Sequence, residues 1–399
     1  MRRVSTSLTS CLIALLAAVA VQAQAPRKVR VDFKETTLKN GLRVITVEDH
    51  SAPVISISVN YNVGSRDERR GRTGFAHLFE HLMFNGSENH PGEFFEPFEM
   101  VGATDMNGTT NEDRTLYFEA LPANQLELAL YLEADRMRSL AITKENLDNQ
   151  RNAVQEERRR GLDNQPYGKS GEIQQELLYD NFAYKHSVIG SMEDLTAASY
   201  EDVVAFFRTW YAPNNAVLSI AGDFDSTEAR ELVRRYFGPI PRGGGKPPLP
   251  DMTLPARFGT WLRTTVPDEV MLPRLFLAFR SPVFGSDEYY AASLATAILG
   301  LGKGSRLQRI LIREREVASE ATAFTFDLSK GSDLLVLDVT GRPEVTGEAI
   351  EAAVADAREV PIDEDGAAVD EAEVVAAHVE VEQSLAVELR RLTGAHELG

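Results

Sequence analysis

Apolar and polar residues alternate along Val54-Ile-Ser-Ile-Ser-Val-Asn-Tyr-Asn-Val63, the two-residue period of a strand with one buried face. Just before it, Thr37–Val47 reads as two strands joined at Asn40-Gly41, a dipeptide suited to a tight turn. After a charged loop, Ser65–Arg72, the period lengthens. Phe75, Leu78, Phe79 and Leu82 recur at helical spacing, with Thr73 the expected N-cap and Asn85-Gly86 the stop. A short helix is predicted over 93–101, paired strands over 103–110 and 115–121, and long helices over 123–140 and 143–162. Further helices are expected at 171–180, 199–210 and 226–237, with a strand at 215–221. Strands and helices interleave without βαβ regularity, which predicts an α+β fold: a mostly antiparallel sheet with helices on one face.

The segment from Pro239 to Pro255 is rich in Pro and Gly and reads as a linker over 241–257. It separates a domain at 30–240 from a second, related one at 258–399. The same programme restarts there, with strands at 260–266 and 274–280 and helices at 287–300 and 305–315. Strands at 320–327 and 332–340 and a helix from 344 follow. An acidic, Ala-rich tail then carries Val374, His378, Val381, Leu385, Leu389 and Leu392 in a helical stripe. Two similar clamshell halves are expected, the second truncated at its C-terminus.

Composition narrows the setting. The 399 residues are 43% hydrophobic and 26% charged, which is ordinary for a globular protein. A net charge of −18 argues against nucleic acid or anionic membrane as a partner. Arg2, Arg3, the apolar run 11–21 and Val21-Gln22-Ala23 compose a signal peptide over 1–23. Export to the periplasm, or secretion, is therefore expected, with no membrane span after cleavage. Cys11 is the sole cysteine, so the processed chain has no disulfide and no thiolate nucleophile.

Candidate chemistry lies in Gly74-Phe-Ala-His77-Leu-Phe-Glu80-His81-Leu-Met-Phe84. On a helix, at ~100° per residue, His77 and His81 are ~40° apart with Glu80 on the same face. Two imidazoles one turn apart suit one Zn²⁺, leaving room for a third ligand and a water whose proton the carboxylate could take. Glu80 is thus the candidate general base. For the third ligand, the stripe Leu147, Gln150, Val154, Glu157, Gly161 favours Glu157 over Glu156, which lies ~100° round the helix. The competing reading makes Glu156-Glu157-Arg158-Arg159-Arg160 a solvated, salt-bridged surface. Periodicity alone does not choose between them.

The two histidines and Glu80, with Asn152-Ala-Val-Gln-Glu-Glu157 in a later segment, resemble the pitrilysin/insulinase family of zinc metallopeptidases, which includes the mitochondrial processing peptidases. Gly64-Ser-Arg-Asp-Glu68, Asn107-Gly-Thr-Thr110, Trp210-Tyr-Ala-Pro-Asn-Asn-Ala216 and Ala221-Gly-Asp223 extend the likeness over residues 30–345. The resemblance implies one Zn²⁺ held by His77, His81 and Glu157. It further implies a zinc-dependent endopeptidase acting on peptides or unfolded segments. Substrate would add as a strand along Met106–Thr110, with Asn107, Gly108 and Thr109 as contacts. The alternative is a non-catalytic or half-site subunit that binds peptide and needs a related partner chain; a homodimer is also compatible. Two departures stand out. Gln150 occupies a position where family members often have glutamate, and the Arg and Tyr that usually hold substrate have no counterpart in 360–399. The latter implies a fragment, a short form, or one half of a pair. Gly300-Leu-Gly-Lys-Gly-Ser305 lacks phosphate-loop spacing and reads as a helix cap or as the family's glycine-rich loop. His50, His90 and His186 read as ordinary histidines.

Overall fold

The computed structural model describes residues 30–245, 249–254 and 262–358. The signal peptide expected at 1–23, Cys11, part of the expected linker and the 374–392 stripe lie outside them. The alternating stretch forms β3 (Val54–Tyr61), whose Ile55, Ile57, Val59 and Tyr61 are buried. Around it are β1 (Lys34–Thr37), β2 (Arg43–Glu48), β4 (Thr104–Thr110), β5 (Thr115–Pro122) and β6 (Ala216–Gly222), in the sheet order β1-β2-β6-β3-β5-β4. The β2–β6 pair is parallel, whereas β6–β3, β3–β5 and β5–β4 are antiparallel. β4 is therefore an edge strand. At the Asn40-Gly41 turn, Gly41 takes φ +95° and the buried Asn40 amide donates to Phe237 O and Ile240 O. That ties the β1–β2 turn to the end of helix Ser226–Tyr236.

The histidine helix (Phe75–Leu82) packs on β4 and β5. It also touches the glutamate helix (Lys144–Arg158) and helix Tyr200–Trp210. Phe79 stacks with Phe206 and Phe207 there, so the apolar flank anticipated from its spacing is buried among aromatics.

Beyond the linker, β7 (Arg274–Ser281), β8 (Ala318–Thr325) and β9 (Asp333–Gly341) form an antiparallel sheet in the order β7-β9-β8. Helices Asp287–Gly300 and Gly347–Arg358 cover it, around a core of Leu307, Leu311, Leu335, Leu337, Val339 and Ile350. The sequence of elements β3–helix–β4–β5–helix recurs as β7–helix–β8–β9–helix, and the orders β3-β5-β4 and β7-β9-β8 correspond. Two expectations need correction. Residues 262–266 form no strand, because Leu262 and Val266 are exposed and have no sheet to bury against. The helix expected over 305–315 is present, but its Gln308–Glu314 stretch is wound as a π-helix, with Arg315 N bonded to Ile310 O. A further cluster of Tyr179, Tyr184, Leu328, Leu334 and Val336 joins the two sheets' surroundings. Among the described residues, no helix is long and apolar enough to cross a membrane.

Candidate metal centre

The histidine helix starts where two glycines touch. Gly74 has φ +85°, and a Cβ on Gly190 would lie 2.4 Å from the Gly74 Cα, so both positions exclude a side chain. Thr73 is not the N-cap. Its hydroxyl donates to Asp194 (2.6 Å), and Gly74, which takes the cap position, has no side chain to offer. The carboxylate of Glu68 does the capping instead, accepting from Gly74 N (2.9 Å) and Ala76 N (2.8 Å). The glutamate helix has an orthodox start, with Thr143 Oγ1 accepting from Asn146 N.

The segment from 186 to 198 sets the spacing between these helices. Arg158, next to Glu157, donates to Gly190 O (2.7 Å) and also pairs with Glu172. Arg151 donates to Leu195 O and Ala198 O, and Gln155 to the Thr196 hydroxyl. One loop thus grips the start of one helix and the flank of the other.

Across the gap, Glu157 Oε2 lies 3.6 Å from His77 Nε2 and 3.3 Å from His81 Nε2. The imidazoles are nearly perpendicular, with centroids 4.8 Å apart. Among the described residues these three compose the one group of at least three His, Cys, Asp or Glu able to hold a metal, their ligand atoms all within 4.8 Å of one another. Two donors about 2.0–2.1 Å from a tetrahedral Zn²⁺ stand roughly 3.3 Å apart, so the separations and the N,N,O donor set fit. Burial, then the His81 charge, pushes His77 down to about 4, keeping its ring neutral as a ligand must be. Its Nδ1 is buried with no hydrogen-bond partner among the described residues. The Glu157 carboxyl is drawn below its usual range by its hydrogen bond to His81. Glu157 does not continue a buried stripe, since half of its side chain is exposed; it reaches the histidines across an open cleft. Glu156 instead pairs with Arg159 and Arg160, the solvated arrangement weighed for the whole run.

Glu80 is largely buried on the same helix. Desolvation raises its carboxyl above the usual range, opposed by the Thr110 hydroxyl and by His81. β4 passes over it at Gly108, where a Cβ would come within 3.0 Å of Glu80 Cγ. Asn107 is exposed on that edge strand, its Oδ1 accepting from Gly108 N, while Arg114 donates to Thr109 O and Oγ1. His50 is exposed and His90 half-buried, while the His186 side chain, 11% exposed, lies against Glu68. Sequence reasoning missed Glu68, His186, Thr110 and Arg158. Glu68, within the Gly64–Glu68 resemblance, and Thr110, within Asn107–Thr110, carried a signal; His186 and Arg158 carried none.

Residues 43–184 match the family model described as Insulinase (Peptidase family M16), and residues 197–376 the one described as Peptidase M16 inactive domain. The zinc protease PqqE of Helicobacter pylori (strain ATCC 700392 / 26695) is 32% identical over 351 residues, 85% of this chain and 76% of that protein. A crystal structure of a protease from Helicobacter pylori has a TM-score of 0.79 at 30% identity, covering 83% of this chain and 80% of the other. The periplasmic protease PqqL from Escherichia coli shares the fold, with a TM-score of 0.66 at 23% identity over 82% of this chain and 38% of its own. With both halves matched and PqqE alike over most of its length, the chain belongs to peptidase family M16.

Proposed function

We propose that this chain is a zinc-dependent endopeptidase hydrolysing peptides or unfolded segments, with His77, His81 and Glu157 as ligands of one Zn²⁺ and Glu80 as general base. The convergence of three donor groups from two separate helices, beside a buried carboxyl, carries this reading. Zinc held by His77, His81 and Glu157 would supply Lewis-acid chemistry at the scissile carbonyl and at the attacking water. Glu80 takes the proton of the attacking water on a carboxylate oxygen and returns it to the departing amine nitrogen. Its desolvated setting, above the ordinary carboxylate range, suits a group that must both accept and release a proton. Extended substrate adds to the free edge of β4, with Asn107, Gly108 and Thr109 facing it. The signal peptide at 1–23, and the periplasmic setting named for PqqL, support export to the periplasm.

Glu80→Gln tests the mechanism. Zinc content should stay at one ion per chain, while hydrolysis of an unstructured peptide falls by about 10²–10⁴. Wild-type turnover in that variant would remove Glu80 from the role. A second reading, a half-site that works with a related subunit or a second copy, has its own support. The 197–376 segment matches a model described as inactive, and among the described residues beyond the linker there is no metal-ligating cluster. Activity that appears only with a co-purified partner would favour it.

A further inference from the structure

We infer that His186 and Glu68 are positioning residues for the metal centre: the His186 ring, donating from both nitrogens, holds the Glu68 carboxylate in place as the cap of the histidine helix. This rests on the zinc reading only for what the cap serves; the cap itself can be tested without metal.

The histidine helix is eight residues long and has no capping side chain of its own. Glu68, fully buried, accepts Gly74 N on Oε2 and Ala76 N on Oε1. Ala76 immediately precedes His77, so the carboxylate fixes the turn that aims the first ligand. The same Oε2 lies 2.9 Å from His186 Nε2, and His186 Nδ1 lies 2.8 Å from Phe182 O. A carboxylate faces one ring nitrogen and a carbonyl the other. The carbonyl requires a proton on Nδ1, and with a second on Nε2, facing the carboxylate, the ring is an imidazolium. Burial raises the Glu68 carboxyl above its usual range, its bonds from His186, Ala76 N and Gly74 N oppose that rise, and each charge makes the burial of the other tolerable.

The other groups facing the ring agree. Phe182 stacks on it at 4.5 Å, with the Arg70 guanidinium over the Phe182 ring. Glu112, from the turn between β4 and β5, adds negative potential, and Ser65 offers a second backbone acceptor. Burial pushes the His186 ring down, but Glu68 and these carbonyls outweigh it and leave the ring above the usual histidine range.

Outer groups that orient metal ligands are typically worth about 10–100-fold in metal affinity. His186→Gln and Glu68→Gln should each weaken zinc binding by about that factor at pH 7, measured by competition with a chelating dye. The metal-free wild type gives the second readout by NMR. The Gly74 and Ala76 amide signals should shift with the same pH midpoint as the His186 ring protons, above about 6.5. In Glu68→Gln that ring midpoint should fall, because burial then acts without the opposing carboxylate. Zinc affinity within twofold of wild type in both variants would overturn the inference. So would amide signals that ignore the His186 titration, a result readable even if neither variant folds. If wild type binds no zinc, the peptidase reading fails, while the amide titration still decides the cap.

Discussion

Gly108 shows how closely one position is constrained by the chemistry beside it. A Cβ there would meet Phe84 Cζ at 2.8 Å and Glu80 Cγ at 3.0 Å, so alanine must push the Phe84 ring aside and press on the side chain proposed as general base. Gly108→Ala should lower kcat/KM at least about tenfold, since small misplacements of a catalytic group are costly. Zinc content should not change. Gly161→Ala, with nothing within 4 Å of the added carbon, is the matched control. Equal activity in the two variants would show that Glu80 need not sit where β4 holds it. His77, Glu80 and His81 were legible in the sequence because one helical turn fixes their relation. Glu157 was not legible by the same route: periodicity favoured it for an inward face, yet half of its side chain is exposed. It became recognisable only through resemblance. The Glu68–His186 contact spans 118 positions, and Thr73, the plausible local cap, donates to Asp194 instead and leaves the capping to Glu68.

Behind the histidine helix, β5 and helix Leu126–Ser139 bring two carboxyls and one cation together in the core. Arg136 forks onto Glu133, donates to Met83 O at the end of the histidine helix, and lies over the rings of Phe94 and Tyr117. Glu119, Glu133 and Arg136 are all essentially inaccessible. One guanidinium does not balance two buried carboxylates. Burial, then the charge on Glu133, pushes Glu119 well above its ordinary range and keeps it protonated. The folded state therefore keeps a proton that the unfolded chain releases near its ordinary value of about 4.3. Stability contributed by that proton is present at low pH and declines as pH rises through the folded value. Glu119→Gln keeps a neutral group of similar size, so its melting temperature should fall less between pH 5 and pH 8 than the wild type's. An unchanged slope would mean Glu119 is ionised. The alternation of β5 made its buried face readable, but not the partner that neutralises the site, because helix 126–139 meets β5 only in the fold.

The correspondence between β3-β5-β4 and β7-β9-β8 is a property of connectivity, visible in the sequence only as a similar run of elements. What joins the halves was invisible there. Asp113, in the turn after the edge strand β4, accepts from Arg66, Tyr184 and the Ser329 amide, while Tyr179 donates to Ser332 O. The segment before β9 is thus seated on the same parts that shape the proposed peptide edge and hold the histidine helix. Acidic groups crowd this seam. Asp333 Oδ1 accepts Leu334 N, but its buried Oδ2 has no partner among the described residues. Burial first, with Asp327 and Glu112 nearby, raises its carboxyl to about 7, and burial raises Asp67 beside Arg66 to about 6. Both folded values exceed those of the unfolded chain, so each proton favours the folded state at low pH. That advantage is lost progressively between about pH 4 and pH 7. Asp333→Asn removes the larger of the two titrations and leaves Asp67 in place. Its melting temperature, followed from pH 4.5 to pH 8, should decline less than the wild type's up to about pH 7, and in parallel with it above that, where Glu119 acts in both proteins. If the two proteins lose equal stability between pH 4.5 and about pH 7, Asp333 is already ionised in the seam, and its proton contributes nothing to the joint between the halves.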